Sequence, residues 1–434
     1  MSHKIELKSA EMTKAASDTL REAVHDPKWE NVPLGTLIET NKLIFVPGSV
    51  SVEEAFNTLV KNHLNSIPVE AVPGDMNCLT FDYNDLNSYL LLVLNKIQVN
   101  NQKVTEDCQN GKPVPVGEIV KLTPKNPFYK LPENETLTTV MKILGSGVHR
   151  VAICNPEMTF VKGILSQRRL VKYLWDNAKQ FTSLESLFNY SLQDLQVGVL
   201  NSQYKATSRQ SRVISIHGEE PLIMALYKMY TERISSIAVV DNQYNLLGNI
   251  SVADVKHVTR TSQYPLLHKT CRHFISVILN SRGLETGKDS FPVFHVYPTS
   301  SLGRTLAKLV ATRSHRLWIV QPPENILSAQ STGNSMTNQS INSATTNLSS
   351  SPTNNLTLPS ESQQQQNLPQ LSPTVSNTSN NPPSSPNLFE KEYRSGKLIG
   401  VISLTDIISL FVKMTTDYKE VDPQTARRQR GSIV

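Results

Sequence analysis

The 434-residue sequence predicts an α/β protein made of four copies of one helix–strand–strand–helix unit. Three observations predict it. An amphipathic stripe recurs four times, two short apolar runs follow each stripe, and each second run ends in a polar tetrad at near-constant spacing. The stripes are Val52, Ala55, Phe56, Leu59 and Val60; then Leu137, Val140, Met141 and Leu144; then Leu222, Ala225, Leu226 and Met229; and last Leu302, Thr305, Leu306, Leu309 and Val310. Such steps of three and four place one apolar face of a helix against a sheet. Ser51 and Glu54 read as a capping box at the start of the first helix.

The first strands are Ile67–Val69, Val151–Ile153, Ile237–Val240 and Leu317–Val320, and the second are Cys78–Phe81, Lys162–Leu165, Leu247–Ile250 and Leu398–Ile402. The tetrads after them end at Asp85, Arg169, Asp254 and Asp406, which are 84, 85 and 152 residues apart. Removing a segment of about 65 residues between the fourth unit's strands restores the period, and a long loop there is tolerable because closure entropy grows only logarithmically with length. That segment, roughly 325–388, is dense in Ser, Asn, Thr, Gln and Pro, so it cannot bury enough apolar surface to offset its ordering entropy and is expected to be disordered. It carries Ser351-Pro352, Ser372-Pro373 and Ser385-Pro386, candidate sites for proline-directed kinases.

Composition excludes several classes. The formal charge is +6, with 43 basic and 37 acidic residues and no basic face or arm of the kind a nucleic-acid binder concentrates, so no direct nucleic-acid contact is expected. Arg427-Arg428-Gln429-Arg430 reads as a solvated tail or a localisation patch. Cys78, Cys108, Cys154 and Cys271 form no CxxC and no zinc spacing, which fits reduced thiols and no metal. The first residues lack an apolar h-region and no window nears 18 apolar residues, so neither a signal peptide nor a membrane span is expected. No P-loop, metal cluster or nucleophile–base pair points to an enzyme.

The tetrads carry the chemistry. Their leading polar residues, Ser166, Ser251 and Ser403 among them, can cap the next helix, and Asp85, Asp254 and Asp406 in its first turn sit where the dipole favours negative charge. Such a carboxylate is a helix-start device, and it can also accept both hydroxyls of a ribose. His149-Arg150 and His315-Arg316 occupy equivalent places just before the first strands of the second and fourth units, where the first unit has Asn65-Ser66 and the third Ser235-Ser236. With Arg168, these cations either complement helix dipoles or converge as phosphate ligands, a phosphate then raising the histidine pKa.

The unit resembles the cystathionine-β-synthase (CBS) domain, and four of them resemble the gamma subunit of AMP-activated protein kinase, most closely at Gly163–Leu170 and Gly400–Ile407. The resemblance implies four CBS repeats forming two Bateman modules in a disc, at 36–98, 120–180, 207–263 and 288–324 with 389–415. An N-terminal extension (1–35), the insertion (325–388) and a tail (416–434) flank or interrupt them. It implies AMP, ADP or ATP as regulatory rather than obligatory ligands, with Asp85, Asp254 and Asp406 on ribose and His149, Arg150, Arg168, His315 and Arg316 on phosphate. Arg169 removes that acceptor from the second copy, while Asn65 and Asp82 weaken the phosphate case in the first.

Ser66–Ala71 and Thr80–Leu90, with the Ser/Asn-rich insertion, resemble a fungal four-CBS family first named as suppressors of a phosphatase-regulatory defect in chromosome separation. That resemblance implies a cytoplasmic and nuclear inhibitor of type 2A-like protein phosphatases, acting in cell-cycle progression, DNA replication, cell separation and nutrient or stress response. The alternative is an interaction scaffold with vestigial nucleotide seams. Oligomeric state is left open by the sequence.

Overall fold

A computed structural model describes residues 32–39, 43–72, 74–198, 213–286, 294–321 and 396–415. The Ser/Asn/Gln-rich insertion with its Ser-Pro motifs, the C-terminal tail and residues 1–31 lie outside the described residues.

Four α/β units follow one another, each holding a three-stranded sheet with a parallel and an antiparallel edge. The first unit has β1 (Val46–Pro47), α1 (Val52–Lys61), β2 (Ser66–Glu70), β3 (Leu79–Asp82) and α2 (Tyr83–Val93). Helices α3 (Gln102–Gln109) and α4 (Val116–Ile119) lead to the second unit. That unit has β4 (Lys130–Pro132), α5 (Leu137–Gly145), β5 (Arg150–Cys154), β6 (Val161–Ser166) and α6 (Gln167–Asp176), and α7 (Thr182–Leu187) follows it. The third has β7 (Ser215–His217), α8 (Leu222–Thr231), β8 (Ser236–Val240) and β9 (Leu246–Ser251), whose tetrad opens a 3-10 turn (Val252–His257) rather than an α-helix; α9 (Cys271–Thr286) closes it. The fourth has β10 (His295–Val296), α10 (Leu302–Thr312), β11 (Arg316–Val320), β12 (Leu398–Ser403) and α11 (Leu404–Thr415).

Two sequence expectations need correction. Each unit carries three strands, not two: β1, β4, β7 and β10 pair in parallel with β2, β5, β8 and β11, and at two or three residues they are too short to show a period. Val60 stands 43% exposed, outside the buried stripe, because α1 turns its Val52, Ala55 and Leu59 face inward. The Ser51–Glu54 box forms its first half, the Ser51 hydroxyl accepting the Glu54 N–H at 3.1 Å.

The helices join the units in a crossed pattern. The first and third share one core, in which Leu90, Leu91 and Leu92 lie with Leu222, Leu226 and Met229. The second and fourth share another, built from Leu137, Met141, Leu144, Ile407, Ile408 and Phe411. Each junction holds a buried amide: Asn87 Nδ2 donates to Leu226 O at 3.0 Å, and Gln167 Nε2 donates to Leu144 O and Thr405 Oγ1, both at 2.9 Å. These directional bonds fix register where apolar packing alone would slide, although the Asn87 Oδ1 is buried with no partner of its own among the described residues.

The sheets meet along the other direction. Those of the third and fourth units close on Ala238, Val240, Leu246, Trp318, Val320 and Leu398, and the Trp318 Nε1 donates across to Asn249 Oδ1 at 3.2 Å. Between the first and second units, Lys130 Nζ donates to Asn77 Oδ1 at 2.9 Å. There the positions matching Trp318 and its neighbours are Pro68, Thr80, Ala152 and Ile164, and all four border open space.

Candidate functional site: a cationic cavity shared by four units

That space is a cavity of about 1210 Å³ lined by residues from every unit. It is larger than the roughly 300–1,000 Å³ of ordinary small-molecule sites. The strand register explains the convergence. Ser66 faces Asp82, Arg150 faces Ser166, Ser236 faces Ser251 and Arg316 faces Ser403, so in each unit the residue entering the central strand lies opposite the cap of the next helix. The backbone ties the two together: Gln167 N donates to His149 O, Val252 N to Ser235 O and Leu404 N to His315 O, at 3.0–3.1 Å.

Of the residues the sequence singles out, His149, Arg150, Ser166, Arg168, His315 and Arg316 line this cavity. Ser251, Ser403, Asp85, Asp254 and Asp406 do not. Arg316 reaches the third unit, donating to Ser235 Oγ at 2.6 Å and Ser236 O at 3.4 Å. The cations are crowded. Burial pulls the His315 imidazole down to about 4, and the nearby Arg150, Arg168 and Arg316 charges push it further the same way. Its surface is open to the cavity rather than enclosed, so solvent there tempers the effect. Burial also lowers Arg150, with Asp82 opposing and Arg168 adding to the effect, and it lowers Arg168, to which Arg313 contributes.

The carboxylates at the tetrads face their own strand ends. Asp254 accepts the Ser251 N–H at 2.8 Å, and Asp406 accepts the Ser403 N–H and hydroxyl, both at 2.7 Å. Asp85 is fully enclosed. It takes the Asp82 N–H at 2.8 Å, the Thr123 hydroxyl at 3.1 Å and the Lys125 ammonium at 2.5 Å. Burial pushes Asp85 up to about 6, Lys125 opposing and Asp82 adding, while the two carboxylates hold Lys125 above its ordinary value against the cost of its burial. Asp82 caps α2, accepting the Asn84 N–H at 2.7 Å; burial would raise it, but Lys125, Arg150 and that bond together hold it low.

A reciprocal contact closes the second tetrad. Arg169 donates to Leu37 O at 3.0 Å and pairs with Glu39. The strap before β1 thus grips the second unit, and the strap before β4, carrying Thr123 and Lys125, grips the first. The signs are complementary in both places: an acid answered by Lys125, a base answered by Glu39. Sequence reading missed both straps, since neither residue belongs to the stripes, strands or tetrads from which the repeat is read.

Among the described residues no helix is long and apolar enough to cross a membrane, and the four cysteines are free and buried.

A family model for the CBS domain matches residues 116–176 and 209–260, the second and third units. The first and fourth units share their sheet topology. Over 98% of its length the chain is 69% identical to Protein SDS24 of Saccharomyces cerevisiae, covering 84% of that protein. The chain belongs to the SDS23/SDS24 family. It is also 68% identical to Protein SDS23 of Candida glabrata, over 98% of this chain and 79% of that one. Among solved structures, protein MJ1225 of Methanocaldococcus jannaschii, described as an archaeal homologue of g-AMPK, aligns with a TM-score of 0.53 at 12% identity, over 88% of this chain and all of that one. The SDS23/SDS24 chain therefore carries a CBS-protein fold, and its cavity lies where all four units meet.

Proposed function

We propose that this SDS23/SDS24 family member is a non-catalytic regulatory protein whose central cavity takes an adenine nucleotide, and that it restrains a type 2A-like protein phosphatase. The observation that carries the nucleotide reading is the convergence of His149, Arg150, Arg168, His315 and Arg316 on one cavity. Guanidinium groups bind phosphate bidentately, and crowded cations of one sign are relieved by an anion. The base has a place too: Pro68, Cys78, Thr80, Ala152 and Ile164 line the open seam between the first two sheets, small or apolar side chains that leave a slot for a flat ring. Asp254 and Asp406, which the resemblance offers as ribose acceptors, do not line this cavity and hold their own strand ends, so no ribose contact in it is assigned to them. The phosphatase, the roles in cell-cycle progression, replication, cell separation and stress response, and a place in cytoplasm and nucleus come with the family resemblance.

One observation favours the vestigial alternative at the first tetrad. Asp85 is already saturated by Lys125 and Thr123, so there the ligand's place is filled by the chain itself. Calorimetry with AMP, ADP and ATP, followed by phosphatase assays with and without the tightest binder, separates the readings. Binding that weakens at least about tenfold in Arg150→Ala and Arg316→Ala supports the nucleotide cavity. No heat at millimolar nucleotide, with phosphatase inhibition intact, makes the protein a scaffold. An unaffected phosphatase sinks the regulatory half.

A further inference from the structure

We propose that the ligand of this cavity carries a chain of phosphates, and that Arg233 and Arg313 are two further side chains that hold it. The inference rests on the phosphate-binding reading above and narrows it. Its ground is a feature repeated in all four units. The helix before each central strand ends in a residue with left-handed backbone, two positions before the Asn-Ser, His-Arg, Ser-Ser or His-Arg pair: His63 (φ 52°), Gly147 (φ 97°), Arg233 (φ 53°) and Arg313 (φ 54°). Glycine adopts this region freely, whereas a side chain with a Cβ is strained there. Only the second unit uses glycine. The third and fourth keep a long cation at a place where the backbone disfavours it, and strain of that kind persists where a site needs the side chain.

Both arginines line the cavity, as does His63. Among the described residues, no carboxylate pairs with Arg168, Arg233 or Arg313. The arginines that line it come from different units: Arg150 and Arg168 from the second, Arg233 from the third, Arg313 and Arg316 from the fourth. Together they offer more bidentate donor pairs than the terminal oxygens of one phosphate can accept. A linear chain of phosphates spans such a ring, and the cavity's volume of about 1210 Å³ leaves room for it. The bland account is that Arg233 and Arg313 only complement the dipoles of α8 and α10 at their C-termini.

Replacement by glycine separates the two accounts, because it removes the cation and relieves the backbone at once. The full chain is titrated calorimetrically with ATP, inorganic tripolyphosphate and AMP at fixed ionic strength. Wild type is expected to bind ATP at least about tenfold tighter than AMP, and tripolyphosphate is expected to displace ATP. Arg233→Gly and Arg313→Gly are each expected to weaken ATP and tripolyphosphate by about tenfold, to leave AMP within about twofold, and to melt at or above the wild-type temperature. Arg313→Asn, which also tolerates left-handed backbone, serves if the glycine variant folds poorly. ATP affinity unchanged in these variants, AMP binding as tightly as ATP, or tripolyphosphate failing to displace ATP each overturns the proposal while leaving a nucleotide cavity standing. Wild type binding none of the three overturns the cavity reading as well.

Discussion

The two sheet seams of this molecule are built on one register and filled in opposite ways. Between the third and fourth units, Trp318 crosses to Asn249 and seals a dry cluster with Ala238, Val240, Leu246, Val320 and Leu398. Between the first and second, the position matching Trp318 is Ala152, and the seam opens into the cavity. The units are alike in topology, so the difference lies in a few side chains. A repeat fold can thus set its architecture by shared stripes and caps, and set its chemistry by what stands at one strand position. The cationic pairs follow the same rule. The second and fourth units place His-Arg where the first and third place Asn-Ser and Ser-Ser, with no change in strand pairing.

That contrast can be broken in several ways. Trp318→Ala removes the plug from the sealed seam and is expected to cost about 3–5 kcal/mol, read by chemical denaturation, because a large buried ring leaves a void its neighbours only partly fill. A cost below about 1 kcal/mol means that seam is not held by Trp318. At the first tetrad, Lys125→Met strips the cation from a carboxylate with no exposure and is expected to cost about 3–5 kcal/mol. The double variant Asp85→Asn/Lys125→Met is expected to recover most of it, since the charge left stranded is gone. If the single and double variants are equally unstable, the strap holds by packing and not by charge.

Ala152→Trp installs the plug in the open seam. Overpacking is expected to cost about 1–3 kcal/mol, and nucleotide binding is expected to vanish in calorimetry, the slot for the base being occupied. Retained affinity puts the base elsewhere. The smallest effect is a pH dependence. His315 has a folded pKa of about 4, below its ordinary 6.5, so its contribution to stability is present above 6.5 and lost as pH falls toward 4. Because its ring faces cavity water, screening trims that contribution to about 1–2 kcal/mol. Asp85, raised to about 6, runs the other way, its ionisation costing stability as pH climbs through that value. The difference between wild type and His315→Gln isolates the histidine: it should narrow by that amount between pH 7 and 4.5, and a flat difference rules His315 out as the sensing group.

Much of this was legible in the residues. The four stripes, the strand pairs and the His-Arg register all follow from spacing, and Ser166, Ser251 and Ser403 stand at helix starts because short polar side chains suit a strand-to-helix corner. What stayed hidden was non-local. The two-residue strand β1 has no period to detect, and Lys125 meets Asp85 across 40 residues with no motif around either strap residue. Glu39 meets Arg169 across 130. Arg233 and Arg313 belong to no motif, because left-handed backbone at a non-glycine residue leaves no mark in the sequence. Whether Trp318 filled its seam or stacked elsewhere also depended on the sheets' meeting, which no single unit specifies.

The account rests on one claim, that cations from several units crowd a shared cavity until an anion relieves them. The imidazole of His315 reports on it directly. Histidine-labelled protein, with the His315 resonance assigned through His315→Gln, is titrated by NMR in the absence and presence of saturating ATP. The account predicts a pKa near 4 in the free protein, rising by at least about one unit with ATP, since a nearby phosphate favours the charged ring. An ordinary value near 6.5 that ATP leaves in place contradicts it.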